Sequence, residues 1–309
     1  MAEITAKVVN EFRQITGLGL MECKKLLQEA EGDLKKATIL AREKGLKNAE
    51  KRSSRAAKAG RIEVGFNEDN TAGAIVELNC ETDFVARNDA FRGMATDLIK
   101  HILSTSEAAA ELLTQKFVLN PAHTVKEALM ELNARTGENV ALPRTEKFAL
   151  TGPGRVDSYV HHDNKSGAMV ELACGSKEQA ATEEVKQLAK DLALQVVASN
   201  PLAIDRDGVP ANLIQEQREI IAKIMENDPA NAKKPEQIQT KIAEGMLNKW
   251  FAENNLLDQP FAKDPAQGSV ADVIRKVASA TGGTPIKVNR VTRYVLGETA
   301  SPEGEAGDE

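Results

Sequence analysis

Apolar residues recur at helical spacing along the first 45 residues, in three separate stripes. The stripes contain Ile4, Val8, Phe12 and Ile15, then Leu20, Cys23, Leu26, Leu27 and Ala30, and then Leu34, Ala37 and Ala41. Residues three and four apart lie on one face of a helix, and glycine often marks helix ends. Because glycines separate the stripes and Gly45 follows the last, we predict a small three-helix domain over residues 1–45.

One stretch of the chain occurs twice. Residues 73–80 read GAIVELNC and residues 167–174 read GAMVELAC, at an offset of 94 residues. The same offset relates the apolar positions of residues 60–102 to those of residues 154–196. A shared pattern at fixed spacing indicates two structural units of the same kind.

Each copy combines a period-two pattern with a helical one. In the first copy, the pattern predicts strands at 61–66 and 72–80, a loop at 81–88 and a helix from Asp89 to about Ser104. In the second copy it predicts strands at 155–162 and 167–174 and a helix at 178–198, which Asn200 and Pro201 end. We therefore predict an α+β fold with two repeated core subdomains that contain antiparallel sheets.

The segments outside the two copies are mainly helical. Thr124 is predicted to cap a connector helix that stops before Gly137, and residues 139–150 suit a strand. Two long helical runs, 210–227 and 235–255, are joined by a turn and predict a protruding antiparallel hairpin. A last helix at 269–281, capped by Ser269, and a closing strand at 286–295 complete the core.

These patterns divide the chain into seven segments. They are a three-helix domain (1–45), a basic linker (46–59), a first core subdomain (60–150), a second core subdomain (151–205), a helical hairpin (206–256), a C-terminal module that completes the core (257–297) and a disordered acidic tail (298–309).

Charge is unevenly placed along a chain whose net charge is −6. Residues 42–61 contain eight Lys or Arg, against Glu43 and Glu50. One interpretation is a nucleic-acid footprint. We favour a solvated linker, because the overall acidity opposes phosphate binding. The chain has no apolar run long enough to span a membrane, no secretory signal and three widely spaced cysteines, which together predict a cytoplasmic protein.

Enzyme signatures are absent from the sequence. There is no phosphate-binding GxxxxGK[ST], no GxGxxG after a strand, no HExxH and no CxxC, so we predict no enzymatic activity, cofactor or metal. His101 and His123 are isolated and are expected to be surface or helix residues rather than catalysts. His161 and His162 end a predicted strand, where neighbours point to opposite faces. Cys80 and Cys174 match in the two copies, which favours small core residues over nucleophiles.

The best candidate for function is the loop Thr82-Asp83-Phe84-Val85. The second copy has Ser176, Lys177, Glu178 and Gln179 in its place and keeps the surrounding apolar pattern. The scaffold therefore does not need a phenylalanine there, and an aromatic beside a carboxylate suits an anchor that enters a partner's pocket. The alternative is that Phe84 covers the core beneath its sheet.

The sequence resembles the bacterial elongation factor Ts family over residues 1–297. Three segments carry the resemblance: 16–25 (TGLGLMECKK), 79–87 (NCETDFVAR) and 259–261 (QPF). Leu20 stands where many relatives have a second methionine, which keeps an apolar contact. The resemblance implies a UBA-like N-terminal domain and no enzyme, but a guanine nucleotide exchange factor for the translational GTPase elongation factor Tu.

The resemblance also implies roles for particular residues. Thr82–Val85 would enter the GTPase domain of elongation factor Tu, where Asp83 and Phe84 disturb the bound Mg²⁺ and the phosphate loop, so that GDP leaves. Phe12, Leu20 and Met21 would bind the same domain, and His161 would face the partner's distal β-barrel domain. Alternatively, Met21 packs inside the three-helix domain.

Self-association through the hairpin is a further expectation, and no direct contact with nucleic acid is expected. Two rival functions stay open at this point: a nucleic-acid-binding protein that uses residues 42–61, and a helical interaction scaffold built around the hairpin.

Overall fold

The computed structural model describes residues 4–16, 18–105, 109–228, 231 and 234–298. Within them, helices surround two three-stranded antiparallel sheets, which confirms the α+β fold. The elements belong to an N-terminal module, two similar sheet-containing units and a helical hairpin inserted into the second unit. No helix of the described ranges is long and apolar enough to cross a lipid bilayer.

The N-terminal module consists of α1 (Ala6–Thr16), α2 (Leu20–Glu29) and α3 (Leu34–Arg52). Its small core is centred on the fully buried Phe12, Cys23 and Leu27. The prediction that the third helix ends at Gly45 is wrong, since α3 continues for two further turns. Gly45 is needed for packing, because a Cβ there would lie 2.9 Å from the Cβ of Ala134. The expected linker is therefore partly helical.

The first unit contains β1 (Ala59–Phe66), β2 (Ala72–Cys80), the one-turn helix α4 (Asp83–Ala86), α5 (Asp89–Ser104), α6 (Val125–Thr136) and β3 (Ala141–Ala149). The strands are antiparallel in the order β1-β2-β3. Thr124 and Glu127 form a capping box at the start of α6, and Gly137 ends it at φ 77°. The connector helix and the strand predicted within residues 139–150 are therefore confirmed.

The second unit repeats this order. It contains β4 (Gly154–Val160), β5 (Ser166–Ala173), the one-turn helix α7 (Lys177–Ala180), α8 (Glu183–Ser199), α11 (Val270–Ala280) and β6 (Lys287–Val295). Its sheet has the order β4-β5-β6, and Ser269 with Asp272 forms a capping box on α11. The predicted last helix and closing strand are confirmed, and they correspond to α6 and β3 of the first unit.

Buried polar contacts show that the duplication extends beyond the matching sequence. In the first unit, His101 of α5 lies 3.0 Å from Gln115 and accepts the Val118 N–H at 3.2 Å. In the second unit, Gln195 of α8 donates to Gln259 at 3.1 Å and accepts the Ala262 N–H at 2.7 Å. Of the two places expected for His101, the surface or a helix, the structure shows the second: His101 lies in α5 and is 3% exposed, because it holds the loop that leads to α6.

The two sheets meet through a pseudo-twofold contact. The Ile62 N–H donates to the Asn164 carbonyl at 2.7 Å, and the Val156 N–H donates to the Asn70 carbonyl at 3.0 Å. Ile62 and Val156 correspond at the offset of 94, and so do the two asparagines. An apolar layer between the sheets contains Ile62, Ile75, Phe148, Val156, Met169 and Tyr294. The units are therefore joined by backbone hydrogen bonds and a shared apolar layer.

The hairpin consists of α9 (Ala211–Asn227) and α10 (Glu236–Asn254), which pack mainly on each other. Arg206 fixes its base: it donates to Asp258 at 3.0 Å and to Asn248 at 2.9 Å, and it lies over the ring of Phe251. The predicted helical runs are confirmed, and each helix begins directly after a proline. The predicted acidic tail lies, after Glu298, outside the described residues.

The three cysteines are buried. Burial and the nearby Glu138 carboxylate raise the pKa of the Cys80 thiol to about 12, and burial raises the pKa of Cys174. Cys80 also donates a hydrogen bond to the Thr82 carbonyl at 3.2 Å. Both thiols are therefore protonated at neutral pH, as expected for core residues.

Removal of the outer hairpin should leave a folded core. We predict that replacement of residues 215–249 by a short Gly-Ser bridge preserves a single cooperative unfolding transition, because Arg206 and Phe251 remain at the base. Thermal unfolding followed by circular dichroism measures this, with the full chain as control. A loss of cooperativity would show that the hairpin belongs to the core.

Cys80 should be almost inert to alkylation in the folded protein. The thiolate is the reactive form of cysteine, and a raised pKa lowers its population at pH 7 to 8. We expect iodoacetamide labelling, located by peptide mass spectrometry, to be far slower at Cys80 and Cys174 than in the denatured chain. Rapid labelling of native Cys80 would mean that the segment around Thr82 opens frequently.

Candidate functional site

The predicted loop at residues 82–85 is a short, capped helical turn at the end of β2. Thr82 is the N-cap of α4, and its hydroxyl accepts the Val85 N–H at 3.5 Å and donates to Glu138 at 2.6 Å. Val85 packs partly on the core of the first unit, and Ala86 is buried. Thr82 and Val85 therefore anchor the turn on both sides of Asp83 and Phe84.

Phe84 projects from this turn into solvent. Its exposed fraction is 90%, the highest among the exposed large apolar residues of the described chain. The alternative that Phe84 covers the core is therefore wrong. Burying a phenylalanine side chain is worth about 1.5–3 kcal/mol, so full exposure leaves that free energy available for binding. Asp83 is also exposed and lies 3.8 Å from Lys165, a surface pair that contributes little.

The second unit supplies an internal comparison. In α7, Ser176 is the N-cap and accepts the Gln179 N–H at 3.1 Å, as Thr82 accepts the Val85 N–H in α4. Glu178 stands at the position of Phe84 and is exposed as well. The same turn therefore forms without an aromatic residue, so Phe84 is not required by the fold.

The N-terminal candidates occupy different environments. Leu20 and Met21, in the first turn of α2, are 49% and 76% exposed. Met21 therefore does not pack inside the module, whose core already contains Cys23, Leu26 and Leu27 of α2. Phe12 is fully buried there. The expectation that Phe12 contacts a partner directly is corrected, since its side chain belongs to the core of the module.

His161 lies just after β4, in the turn to β5. Its Nδ1 lies 3.0 Å from the Asp163 carboxylate, and its ring centroid is 4.2 Å from that of His162. The backbone N–H of Lys165, and then His161, lower the pKa of Asp163. The expectation that the two imidazoles point to opposite faces is wrong, because β4 ends at Val160 and strand alternation no longer applies.

The turn that carries His161 and the turn that carries Phe84 border one cleft. This cleft has a volume of about 630 Å³ and is lined by Asp83, Arg87, His162 and Lys165, among others. Leu20 and Met21 are not among its lining residues. His161 and Phe84 are not among them either, so the two turns meet in the cleft through Asp83 on one side and residues 162–165 on the other.

Sequence reasoning missed Glu138, which follows α6 and receives the Thr82 hydroxyl hydrogen bond. A signal was present: residues 136–139 read TGEN, and residues 281–284, at the same place in the second unit, read TGGT. The offset there is 145 rather than 94, because the hairpin precedes the second segment. The carboxylate is therefore specific to the copy that contains Phe84.

The described parts of the chain give little support to a metal site or to a nucleic-acid-binding surface. No group of three or more His, Cys, Asp or Glu side chains in them has metal-binding geometry. In the basic segment, Arg52 contacts Asn133, Arg55 contacts Glu81 and Arg61 contacts Glu63. These three of the eight basic residues of the segment thus have hydrogen-bond partners within the molecule.

Comparisons with known proteins identify the family of this chain. The profile of the family described as "Elongation factor TS" matches residues 81–298. Proteins named Elongation factor Ts from a Nostoc species and from Clostridium botulinum are 40% identical over 300 residues and 42% identical over 296 residues. Each match covers 96% of this chain, with 94% and 93% of the relative.

A third relative, from Prosthecochloris aestuarii, is 39% identical over 303 residues, which is 96% of this chain and all of the relative. The matches span the N-terminal module, both sheet-containing units and the hairpin. The chain therefore belongs to the elongation factor Ts family of translation factors, the nucleotide exchange factors of elongation factor Tu.

Proposed function

We propose that this protein releases GDP from elongation factor Tu by inserting Phe84 and Asp83 into the partner's GTPase domain. The observation that carries the proposal is the exposure of Phe84 on a turn that the second unit builds without it. A large apolar side chain fully exposed on an anchored turn is typical of an interface anchor. GTP then loads onto the vacated site, and elongation continues.

Insertion explains release through differential binding. A pocket for Phe84 that exists only in an opened GTPase domain gives the factor a higher affinity for that state. Burial of the phenylalanine contributes about 2–3 kcal/mol to the preference. By linkage, bound nucleotide weakens the factor to the same extent that the factor weakens the nucleotide. No covalent step is needed.

The metal ion of the partner makes the nucleotide site sensitive to small movements. Mg²⁺ in such sites bridges phosphate and protein oxygens and requires near-ideal octahedral geometry. Displacement of those ligands by the Phe84 turn therefore costs much nucleotide affinity. Asp83, next to Phe84, adds a negative charge close to that region.

Other surfaces hold the partner in place. We assign Leu20 and Met21 to a second contact with the GTPase domain, because both are exposed while the rest of the α2 stripe is buried. The turn around His161 borders the same cleft as Asp83, and we assign it to the partner's distal β-barrel domain. The hairpin exposes Ile220, Ile224 and Ile238, which support self-association as an additional proposal.

Phe84→Ala should sharply reduce catalysed GDP release while the fold is retained. Loss of a buried interface anchor costs at least about 1 kcal/mol, so the rate at saturating factor should fall about fivefold or more. The measurement is release of fluorescent GDP from elongation factor Tu over a titration of factor. Glu178→Ala, the equivalent change in the second unit, is the matched control and should behave like wild type.

Wild-type exchange by Phe84→Ala would exclude insertion as the mechanism. Equal losses in Phe84→Ala and Glu178→Ala would point to a general effect of changing either turn. An unchanged thermal midpoint in both variants ensures that a loss of rate reflects the missing side chain.

Leu20 and Met21 should contribute binding rather than displacement. We expect Leu20→Ala with Met21→Ala to raise the half-saturating concentration about tenfold, while the rate at saturation stays within about twofold. Leu202→Ala, which truncates a similarly exposed residue that belongs to none of the proposed contact surfaces, is the control. A reduced rate at saturation with unchanged half-saturation would contradict this division of roles.

A further inference from the structure

We propose that Glu138 is a positioning residue that holds the Phe84 turn ready for insertion; this inference rests on the proposed function. Glu138 lies in the loop between α6 and β3 and accepts three hydrogen bonds from the segment before Phe84. The N–H groups of Glu81 and Thr82 donate to its Oε2 at 3.1 and 3.0 Å, and the Thr82 hydroxyl donates to its Oε1 at 2.6 Å.

The contact is reciprocal. The Glu81 carboxylate accepts the Asn139 N–H at 2.7 Å. Residues 81 and 82 are therefore hydrogen-bonded to residues 138 and 139 in both directions. The Asn139 side chain donates to the Arg55 carbonyl at 2.7 Å, which adds the chain just after α3 to the same contact. The base of the Phe84 turn is thus fixed by charge-assisted hydrogen bonds, which are stronger than those between neutral groups.

The second unit shows that Glu138 is not needed to build the turn. Gly175 and Gly283 stand where the first unit has Glu81 and Glu138. The turn of α7 is held instead by Gln179, which accepts the Gly175 N–H at 2.8 Å and donates to the Thr284 carbonyl at 2.9 Å. Within one chain, the carboxylates occur in the copy with the exposed phenylalanine and are absent from the other.

A rigid base matters because insertion works against a closed partner. A loosely held Phe84 would have to lose conformational freedom on entering its pocket, and that loss would reduce the binding free energy available to open the pocket. Because hydrogen bonds to Glu138 hold the base of the turn, Phe84 enters its pocket with little further loss of conformational freedom. Glu138 therefore acts through Phe84, and direct contact between Glu138 and the partner is not required.

The proposal is tested with Glu138→Ala and Glu138→Gln in the fluorescent GDP assay. We expect Glu138→Ala to lower the rate at saturating factor about fivefold, with half-saturation changed less than about twofold. Glu138→Gln should fall between Glu138→Ala and wild type, because its amide oxygen still accepts a backbone N–H while its amide nitrogen does not. A wild-type rate in both variants would overturn the proposal.

A double variant separates positioning from an independent effect. In the Phe84→Ala background, Glu138→Ala should cause no further loss of rate, because the group that it positions is missing. A full additional loss would show that Glu138 acts by another route. A normal rate in Phe84→Ala alone would refute the proposed function itself, whereas a loss there without a loss in Glu138→Ala refutes only the positioning role.

Hydrogen exchange provides the structural readout. In Glu138→Ala, the amides of residues 81–85 should exchange faster, while those of residues 175–179 in the second unit, the internal control, stay unchanged. If the alanine variant does not fold, hydrogen exchange at residues 81–85 is measured in Glu138→Gln instead. Unchanged exchange at residues 81–85 in a folded variant would contradict the inference.

Discussion

The contact between the two sheets is the constraint on which the rest of the structure depends. Glu77, fully buried, accepts a hydrogen bond from Arg144 at 2.6 Å, and Arg144 lies over the ring of Tyr294 in the other unit. Glu171 and Arg290 repeat this pair, with Arg290 over Phe148. In the first pair, loss of Arg144 would leave the fully buried Glu77 carboxylate uncompensated, which costs about 3–5 kcal/mol. Each ion pair lies within one unit, and its arginine reaches the other unit through the ring contact; Arg144 also donates to the Val295 carbonyl at 2.6 Å. These arginines therefore fix how the units face each other, and with that the cleft bordered by the turns that carry Phe84 and His161.

Duplication explains how one turn could specialise. Both units need a capped turn after the second strand, since it leads the chain from the sheet into the long helix, and both obtain it from a hydroxyl N-cap. The outward position of that turn is not constrained by packing, so the units differ there without a cost in stability. In the first unit the free position carries Phe84 and the support beneath it is charged; in the second it carries Glu178 and the support is a neutral glutamine.

The sequence was most informative where structure is determined locally. The capping residues Thr124 and Ser269, the strands of each copy and the exposed position of Phe84 were all predicted from short-range patterns or from the comparison of the copies. Predictions were wrong or incomplete where the environment of a residue depends on contact with a segment distant in sequence. Gly45 permits the close approach of Ala134 rather than ending a helix, and His101 is buried because it holds a loop that follows it. Glu138 was missed because the inserted hairpin shifts the repeat and hides its counterpart.

The site combines two kinds of interaction that suit different tasks. Burial of an exposed phenylalanine supplies binding free energy that depends little on the orientation of the side chain. Hydrogen bonds fix the orientation of the groups that they join and contribute little net free energy. A side chain that must open a closed pocket needs both, because burial free energy is useful only if it is not spent on ordering the turn. The hydrogen bonds between residues 81–82 and residues 138–139 fix the orientation of the turn, and burial of Phe84 supplies the binding free energy. Asn139 also donates to the Arg55 carbonyl at 2.7 Å, so the base of the turn is bonded to the chain just after α3 as well as to the segment after α6.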